Sequence, residues 1–232
     1  MQRDNIISYF DMCQTEGTSL QKGMNFRVRG KHSVILMSLR RGAPYRDRVE
    51  NEGRILIYEG HDVPRSKGGP DPKAVDQPEF NSSGSLTENG KFHRAAQGYK
   101  AGKKGPDLVR VYEKLKDGIW SDSGYFHLID SWREHDGKRN VFLFRLAAIE
   151  NSENELSEDP VPYERSPGRI IPSHVKLAVW KRDGGKCVEC GESTELHFDH
   201  ILPFSKGGTS LKADNVQLLC ARHNLQKSAN IK

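Results

Sequence analysis

The sequence predicts an α+β protein in which a β-rich N-terminal domain precedes a small C-terminal domain held together by a metal ion. Runs of β-branched and aromatic residues recur through the first 150 positions, and turn-forming stretches separate them. Three of the four cysteines lie at or after position 187. So short a C-terminal segment rarely builds a sufficient core of its own, and a metal staple would supply the missing stability.

The strands and helices follow from local patterns. Strands are predicted at 33–38, 54–58, 108–112, 125–129 and 140–149. Helices are predicted at 6–21 and 173–183, the second beginning at Ser173, which follows a proline and is a candidate N-cap.

Charged residues are unevenly distributed along the chain. The net charge is +5 and the pI is near 9.0, but residues 151–166 carry only one basic residue against five acidic ones. This acidic stretch contains two prolines and predicts a linker between two basic parts. The predicted division is a first domain at 1–150, a linker at 151–167 and a second domain at 168–232. Both basic parts are compatible with phosphate binding and also with an ordinary protein surface.

Membrane insertion and secretion are not expected. No apolar run reaches 18 residues, and the first eight residues lack a secretory apolar segment. If three cysteines bind metal, Cys13 is left over and is predicted to be a buried thiol. This cysteine usage favours a reducing compartment, and the bacterial cytoplasm is the expected location.

Four residues have the spacing of a closed zinc site. Cys187 and Cys190 form a Cys-x-x-Cys turn, and Cys220 and His223 are three apart, which on a helix places them on one face. Such a set leaves no open coordination position, so this zinc ion would be structural.

A second polar set is interleaved with the first. Asp199 and His200 lie in an apolar run that Pro203 and two glycines soon end, and a backbone kink there would bring both side chains to one site. Asn215 is placed to hold the imidazole or its backbone. With Asn224, this set is suited to binding a second metal ion and activating water, as phosphodiester hydrolysis requires.

The C-terminal pattern resembles the HNH endonuclease family and its ββα-metal fold. The matching stretches are Leu196 to Gly208, Asn215 to Cys220 and His223 to Lys227. The resemblance implies that His200 is the general base, that Asn215 orients it, and that Asp199 and Asn224 hold one Mg²⁺ or Mn²⁺ ion.

His223 stands where the family usually has a fourth cysteine, so it is also a candidate for the catalytic metal in place of Asn224. Neighbouring helix residues point about 100° apart and cannot both face one ion. The three-residue step from Cys220 favours His223 for zinc. Lys206, Arg222 and Lys227 are candidate DNA phosphate contacts, and each is equally compatible with a plain surface cation.

The first domain resembles the SRA (SET- and RING-associated) domain, a barrel of the PUA-like type, over roughly residues 33–149. The resemblance rests on strand order and short motifs around Tyr45, Asp47, Tyr58, Val109 and Tyr125. It implies recognition of 5-methylcytosine or 5-hydroxymethylcytosine by base flipping, and the four pocket residues implied are Tyr45, Asp47, Tyr58 and Glu59. Tyr45 and Tyr58 would stack on the base, and Asp47 would accept from cytosine N4; half-buried core tyrosines and, for Glu59, a solvated turn residue are the structural alternatives.

Together these patterns predict a modification-dependent DNA endonuclease that acts on double-stranded DNA carrying modified cytosine. Because one HNH site cuts one strand at a time, a homodimer is expected. Two alternatives remain: a non-catalytic reader of modified DNA, and an HNH nuclease whose first domain is sequence- or phosphorothioate-specific.

The segment 61–69 has a sequence similar to 200–208 but lacks the surrounding metal-binding residues, and it is interpreted as a basic glycine-rich loop.

Overall fold

The computed structural model describes residues 4–149, 170–203 and 206–227. We call residues 4–149 the N-terminal module and the two later ranges the C-terminal module. The predicted acidic linker at 151–167 lies outside the described residues.

The N-terminal module is built mainly of strands. In chain order its elements are β1 Ile6–Ser8, α1 Tyr9–Glu16, β2 Met24–Asn25, β3 Ser33–Met37, β4 Arg48–Glu50, β5 Ile55–Glu59, α2 Glu88–Lys100, β6 Asp107–Lys116, β7 Ile119–His135 and β8 Asn140–Ala148. All five predicted strands are present. The long strands β6 and β7 extend well beyond the short apolar runs that predicted them.

The predicted helix at 6–21 is shorter than expected. Residues 6–8 form β1, which pairs with β7, and the helix begins only after Ser8. The Ser8 side chain accepts from the backbone N–H of Asp11, and Gly17, with a φ of 65°, ends the helix in the left-handed conformation. Cys13 on this helix is partly buried and accepts from the N–H of Leu20.

The strands form one mixed sheet with the order β2-β3-β6-β7-β8-β5-β4, and β1 pairs with β7 beside it. The β3–β6 pair is parallel, and the other pairs are antiparallel. Helix α2 packs against β7 and β8 and buries Phe92 and Ala96 in the main core. This core stabilises the end of β5, where two of the predicted pocket residues lie.

The C-terminal module contains α3 Ser173–Arg182, β9 Leu196–His200, β10 Val216–Cys220 and α4 Ala221–Lys227. Strands β9 and β10 pair antiparallel, with Val216 opposite His200 and Cys220 opposite Leu196, and α4 follows β10 without a break. The predicted helix at 173–183 is present, but Pro172 occupies its N-cap position and Ser173 is its buried first residue. The α+β class, with a β-rich module followed by a small C-terminal module, is confirmed.

The two modules share an apolar cluster. Leu115 from β6 and the partly buried Ile119 from β7 pack with Val175 and Val179 of α3 and with Leu196 of β9. The C-terminal module therefore completes its small core against the sheet of the N-terminal module. Within the described ranges, none of the helices combines the length and apolar character needed to cross a membrane.

Candidate active site

The four predicted zinc ligands come together in the C-terminal module. The ligand atoms of Cys187, Cys190, Cys220 and His223 all lie within 4.8 Å of one another. The Sγ atoms of Cys190 and Cys220 are 3.9 Å apart, and His223 Nδ1 is 3.3 Å from Cys187 Sγ and 3.4 Å from Cys220 Sγ. Zinc bond lengths in a tetrahedron give separations of about 3.8 Å between two sulfurs and about 3.5 Å between sulfur and nitrogen. The donor set and its spacing fit a structural zinc ion.

The local chain supports these ligands. Burial raises the pKa of the Cys187 thiol, but the backbone N–H groups of Cys220, Cys190 and Glu189 and the His223 ring outweigh this and lower the pKa to about 6. Such a thiol is readily converted to the thiolate that a zinc ion requires. The second ring nitrogen of His223, Nε2, is 3.9 Å from a Glu189 carboxylate oxygen, the kind of partner that orients a histidine ligand.

Asp199 and His200 lie at the end of β9 and are assigned to the strand up to His200. Side chains alternate along a strand, so the two leave the sheet on opposite sides, and the expected kink before Pro203 comes too late to change this. His200 Nε2 is 2.9 Å from the Ser210 hydroxyl oxygen. Asp199 lies toward α4, where its Oδ2 is 2.7 Å from Lys227 Nζ.

The Asn215 side chain forms hydrogen bonds with the backbone of the loop that follows β9. Its Oδ1 accepts from the N–H of Leu202 at 2.8 Å, and its Nδ2 donates to the carbonyls of Leu202 at 3.1 Å and Thr209 at 2.9 Å. These bonds tie together the two ends of the loop after β9 and so place Ser210 beside His200. The group next to the imidazole is therefore Ser210, which the sequence reasoning did not single out.

Gly208 explains why the loop can close this tightly. A Cβ atom built there would lie 1.8 Å from the Leu202 carbonyl oxygen and 2.9 Å from Asn215 Nδ2. Only glycine allows the two backbone stretches to approach each other at this point.

Lys227 differs from the expectation of a surface phosphate contact. It is 2% exposed, and its ammonium group both pairs with Asp199 and donates to the backbone carbonyl of His200. Lys206 and Arg222 are exposed, as phosphate contacts must be. Asn224 is one turn before Lys227 and so lies on the same face of α4, toward Asp199, while His223 faces the cysteines.

The predicted pocket residues of the N-terminal module lie at the end of β5 and in the segment before β4. The Asp47 carboxylate accepts from the backbone N–H of Glu59 at 3.1 Å and of Ser38 at 3.3 Å. Burial raises the pKa of Asp47 to about 7, although both of these N–H groups act to lower it. Asp47 and Glu59 thus stand side by side.

Glu59 is not a solvated turn residue. It is 2% exposed; its Oε2 accepts from the Arg46 N–H at 2.9 Å, and its Oε1 lies 3.6 Å from Arg139 Nη2 and accepts from Gln77 Nε2 at 3.4 Å. Arg139 and Gln77 were not predicted as pocket residues, because only the folded chain brings them to Glu59. Both are buried, and they reach this position from the β7–β8 turn and from the segment before α2.

Tyr45 and Tyr58 have different surroundings. Tyr45 is partly exposed, whereas Tyr58 is 1% exposed and belongs to the main core. Between them lies His61, whose ring stacks on Tyr45 with centroids 5.4 Å apart and an interplanar angle of 14°, and whose Nε2 is 3.0 Å from the Tyr58 hydroxyl. Burial lowers the pKa of His61 to about 4, so this ring is neutral at physiological pH. In this structure His61 covers the hydroxyl end of Tyr58.

Comparison with known proteins gives one family match and several similar solved structures. Residues 187–230 match the HNH endonuclease family. Among solved structures, the SUVH5 SRA domain in complex with hemi-methylated CG DNA has a TM-score of 0.44 and 20% identity, with 70% of this chain and 94% of that chain covered. SUVH5 SRA bound to fully hydroxymethylated CG DNA has a TM-score of 0.40 and 19% identity, with 68% and 90% covered.

No curated protein matches the chain. The family match covers the four predicted zinc ligands, the β9–β10 hairpin and α4. The C-terminal module is thus similar to HNH endonucleases, and this similarity supports a nuclease.

Proposed function

We propose that the C-terminal module hydrolyses phosphodiester bonds in duplex DNA. The observation that carries this proposal is the end of β9, where Asp199 lies toward the face of α4 that bears Asn224 and the neighbouring His200 is held by Ser210. A base, metal-binding oxygens and a rigid support are the groups that metal-assisted hydrolysis needs.

His200 takes a proton from the attacking water. The Ser210 hydroxyl holds one ring nitrogen, and Asn215 holds the loop that carries Ser210, so the ring keeps one orientation during proton transfer. Asp199 and Asn224 would hold a Mg²⁺ or Mn²⁺ ion, which supplies positive charge at the phosphate when bound. The exposed cations Lys206 and Arg222 contribute to binding of the DNA backbone.

We propose further that the N-terminal module recognises modified cytosine that has been flipped out of the duplex. The adjacent carboxylates of Asp47 and Glu59 suit the N4 amino group of cytosine, a donor that thymine lacks. Tyr45 has a partly exposed ring; His61 stacks against it, and Lys73 Nζ lies 4.2 Å from the ring centroid. A flipped base that stacks on Tyr45 takes the place of one of these two side chains.

The energies favour this combination over stacking alone. Extruding a base costs a few kcal/mol. One aromatic stack contributes roughly 1–3 kcal/mol, and a hydrogen bond to a charged group about 1.5–3 kcal/mol. A single stack on Tyr45 therefore does not reliably offset extrusion, whereas a stack together with one carboxylate contact does.

Phosphodiester hydrolysis and recognition of modified cytosine together suit one biological role. That role is restriction of DNA that carries 5-methylcytosine or 5-hydroxymethylcytosine. Because one site cuts one strand at a time, we propose that a homodimer makes double-strand breaks.

Two variants separate the activities. His200→Ala removes the proposed base and abolishes nicking of methylated plasmid with Mn²⁺, while affinity for modified duplex is retained. Tyr45→Ala weakens binding of a methylcytosine duplex by roughly tenfold or more in fluorescence anisotropy. The control Phe10→Ala removes an aromatic ring that is 67% exposed on α1 and leaves binding unchanged. A His200→Ala protein that nicks as fast as the parent would rule out His200 as the base, and the proposed site would be abandoned. No nicking by the parent itself would instead identify the chain as a reader of modified DNA without nuclease activity.

A further inference from the structure

A buried polar cluster joins the two modules. Lys176 of α3 is 1% exposed, and its Nζ lies 2.7 Å from Asp4 Oδ1 and donates to the Ser123 hydroxyl on β7 at 3.1 Å. Asp4 and Ser123 are themselves 7% and 6% exposed. The cation belongs to the C-terminal module, and both partners belong to the N-terminal module.

A second carboxylate completes the cluster. Glu113 on β6 is 3% exposed; burial raises its pKa, while the charge of Lys176 and a hydrogen bond from Ser173 act in the opposite direction. Removal of an ammonium group from water is strongly unfavourable unless charged partners compensate it. Lys176 is therefore held to one place on the N-terminal sheet, where these partners converge.

The same cluster is connected to the strand that bears the proposed catalytic residues. The carbonyl oxygen of Asp4 accepts from the N–H of Phe198 at 3.3 Å, and Asn5 forms a bridge with His197. Residues 6–8 immediately afterwards pair with β7. One short segment, residues 4–8, is thus bonded to the sheet of the N-terminal module and to β9, at positions directly before Asp199.

The apolar cluster between the modules does not by itself determine their relative orientation, since contacts such as Leu115 with Val175 are non-directional. An ion pair with defined partners selects one arrangement among those that bury similar apolar area, as buried polar groups do when they specify register. Lys176, Asp4 and Ser123 supply this directional element.

We propose that Lys176 is a positioning residue that fixes β9 relative to the N-terminal sheet, so that the cut falls at a fixed distance from the recognised base. The inference rests on the proposed function, because it concerns where the same nuclease site meets DNA. On this proposal, the distance between the recognised base and the cut depends on the contact between the modules as well as on the DNA contacts at the nuclease site.

The test uses Lys176→Met in the full chain, with Lys181→Met as the matched control, since Lys181 is exposed on the same helix. The first measurement is amide hydrogen exchange without DNA. We expect the Phe198 amide, which is bonded to Asp4, to exchange about tenfold faster in Lys176→Met and at the parent rate in the control. Unchanged exchange at Phe198 would overturn the proposal.

The second measurement maps the cut ends on a duplex carrying a single 5-methylcytosine. The parent and Lys181→Met are expected to cut at one main phosphate in each strand, and Lys176→Met to cut at several, with unchanged affinity for the duplex. A Lys176→Met protein that cuts only at the parent position would refute the positioning role.

Asp4→Asn combined with Lys176→Met removes the ion pair between these two residues and keeps the test decisive if the single variant folds poorly. This double variant is expected to show the same spread of cut positions, and a single parent-like position would count against the proposal. If the parent itself cuts no modified duplex, the proposed function fails, while hydrogen exchange still decides whether Lys176 fixes β9.

Discussion

The difference in folding stability between Asp47→Asn and the parent is predicted to change sign with pH. Burial raises the pKa of its carboxyl from 3.8 to about 7 in the folded protein. Between these two values the folded protein keeps a proton that the unfolded chain has released, so stability falls as pH rises through this window and has fallen fully above pH 7. A difference of about 3 pKa units corresponds to about 4 kcal/mol of pH-dependent stability.

Asp47→Asn cannot ionise and removes this dependence. The substitution has its own cost, because the amide has one acceptor oxygen for two N–H donors, those of Ser38 and Glu59. One of these donors loses its bond, which costs about 1–3 kcal/mol. Asp47→Asn should therefore be less stable than the parent by about 1–3 kcal/mol at pH 4 and more stable by a similar amount at pH 8.

The assay is urea unfolding of the DNA-free protein at pH 4, 6 and 8. Other titrating groups are the same in both proteins and cancel in the difference between them. Asp214→Asn serves as the control, because Asp214 is exposed and the substitution should leave the difference from the parent constant. Stability curves for Asp47→Asn and the parent that stay parallel from pH 4 to pH 8 would refute the argument that burial dominates the carboxyl.

Four other substitutions test the C-terminal module. Cys220→Ser should lower bound zinc, measured by atomic emission, from one ion per chain to near zero and should lower the melting temperature; retained zinc would contradict the Cys₃His assignment. Gly208→Ala should slow cleavage and destabilise the module, since a Cβ there meets the Leu202 carbonyl at 1.8 Å; parent-like activity and stability would show that the loop has another conformation. Lys227→Met should reduce the free energy of unfolding by about 3 kcal/mol, because Asp199 loses its buried partner. Lys227→Met should leave the salt dependence of DNA binding unchanged, whereas Arg222→Met should reduce that dependence and spare stability; the opposite pattern would place Lys227 at the DNA surface.

Much of the fold followed from local sequence. Runs of β-branched and aromatic residues located all five predicted strands, because such side chains pack well on the half-buried surface of a sheet. The zinc ligands were predicted because metal coordination demands particular residue types at particular spacings, and Cys187, Cys190, Cys220 and His223 do come together. Strand β1 was mistaken for helix, since its pairing with β7 is a contact between distant parts of the chain.

The errors in the sites have the same origin. Lys227 is a basic residue near the end of a short helix, and only the packing of α4 on β9 shows that it is buried against Asp199. Ser210 and His61 were not predicted as site residues, because only long-range folding places them beside His200 and Tyr45. Local patterns identify residues that chemistry requires, but they do not identify the residues that orient them.

The most direct test is the cleavage of one duplex containing a single 5-methylcytosine, compared with the same duplex containing cytosine, by the zinc-loaded chain with Mn²⁺. Filling a slot with one methyl group contributes about 0.8 kcal/mol, so we expect cleavage of the modified duplex to be about fourfold faster or more. No cleavage of either duplex would contradict the nuclease assignment, and equal rates would contradict recognition of the modified base.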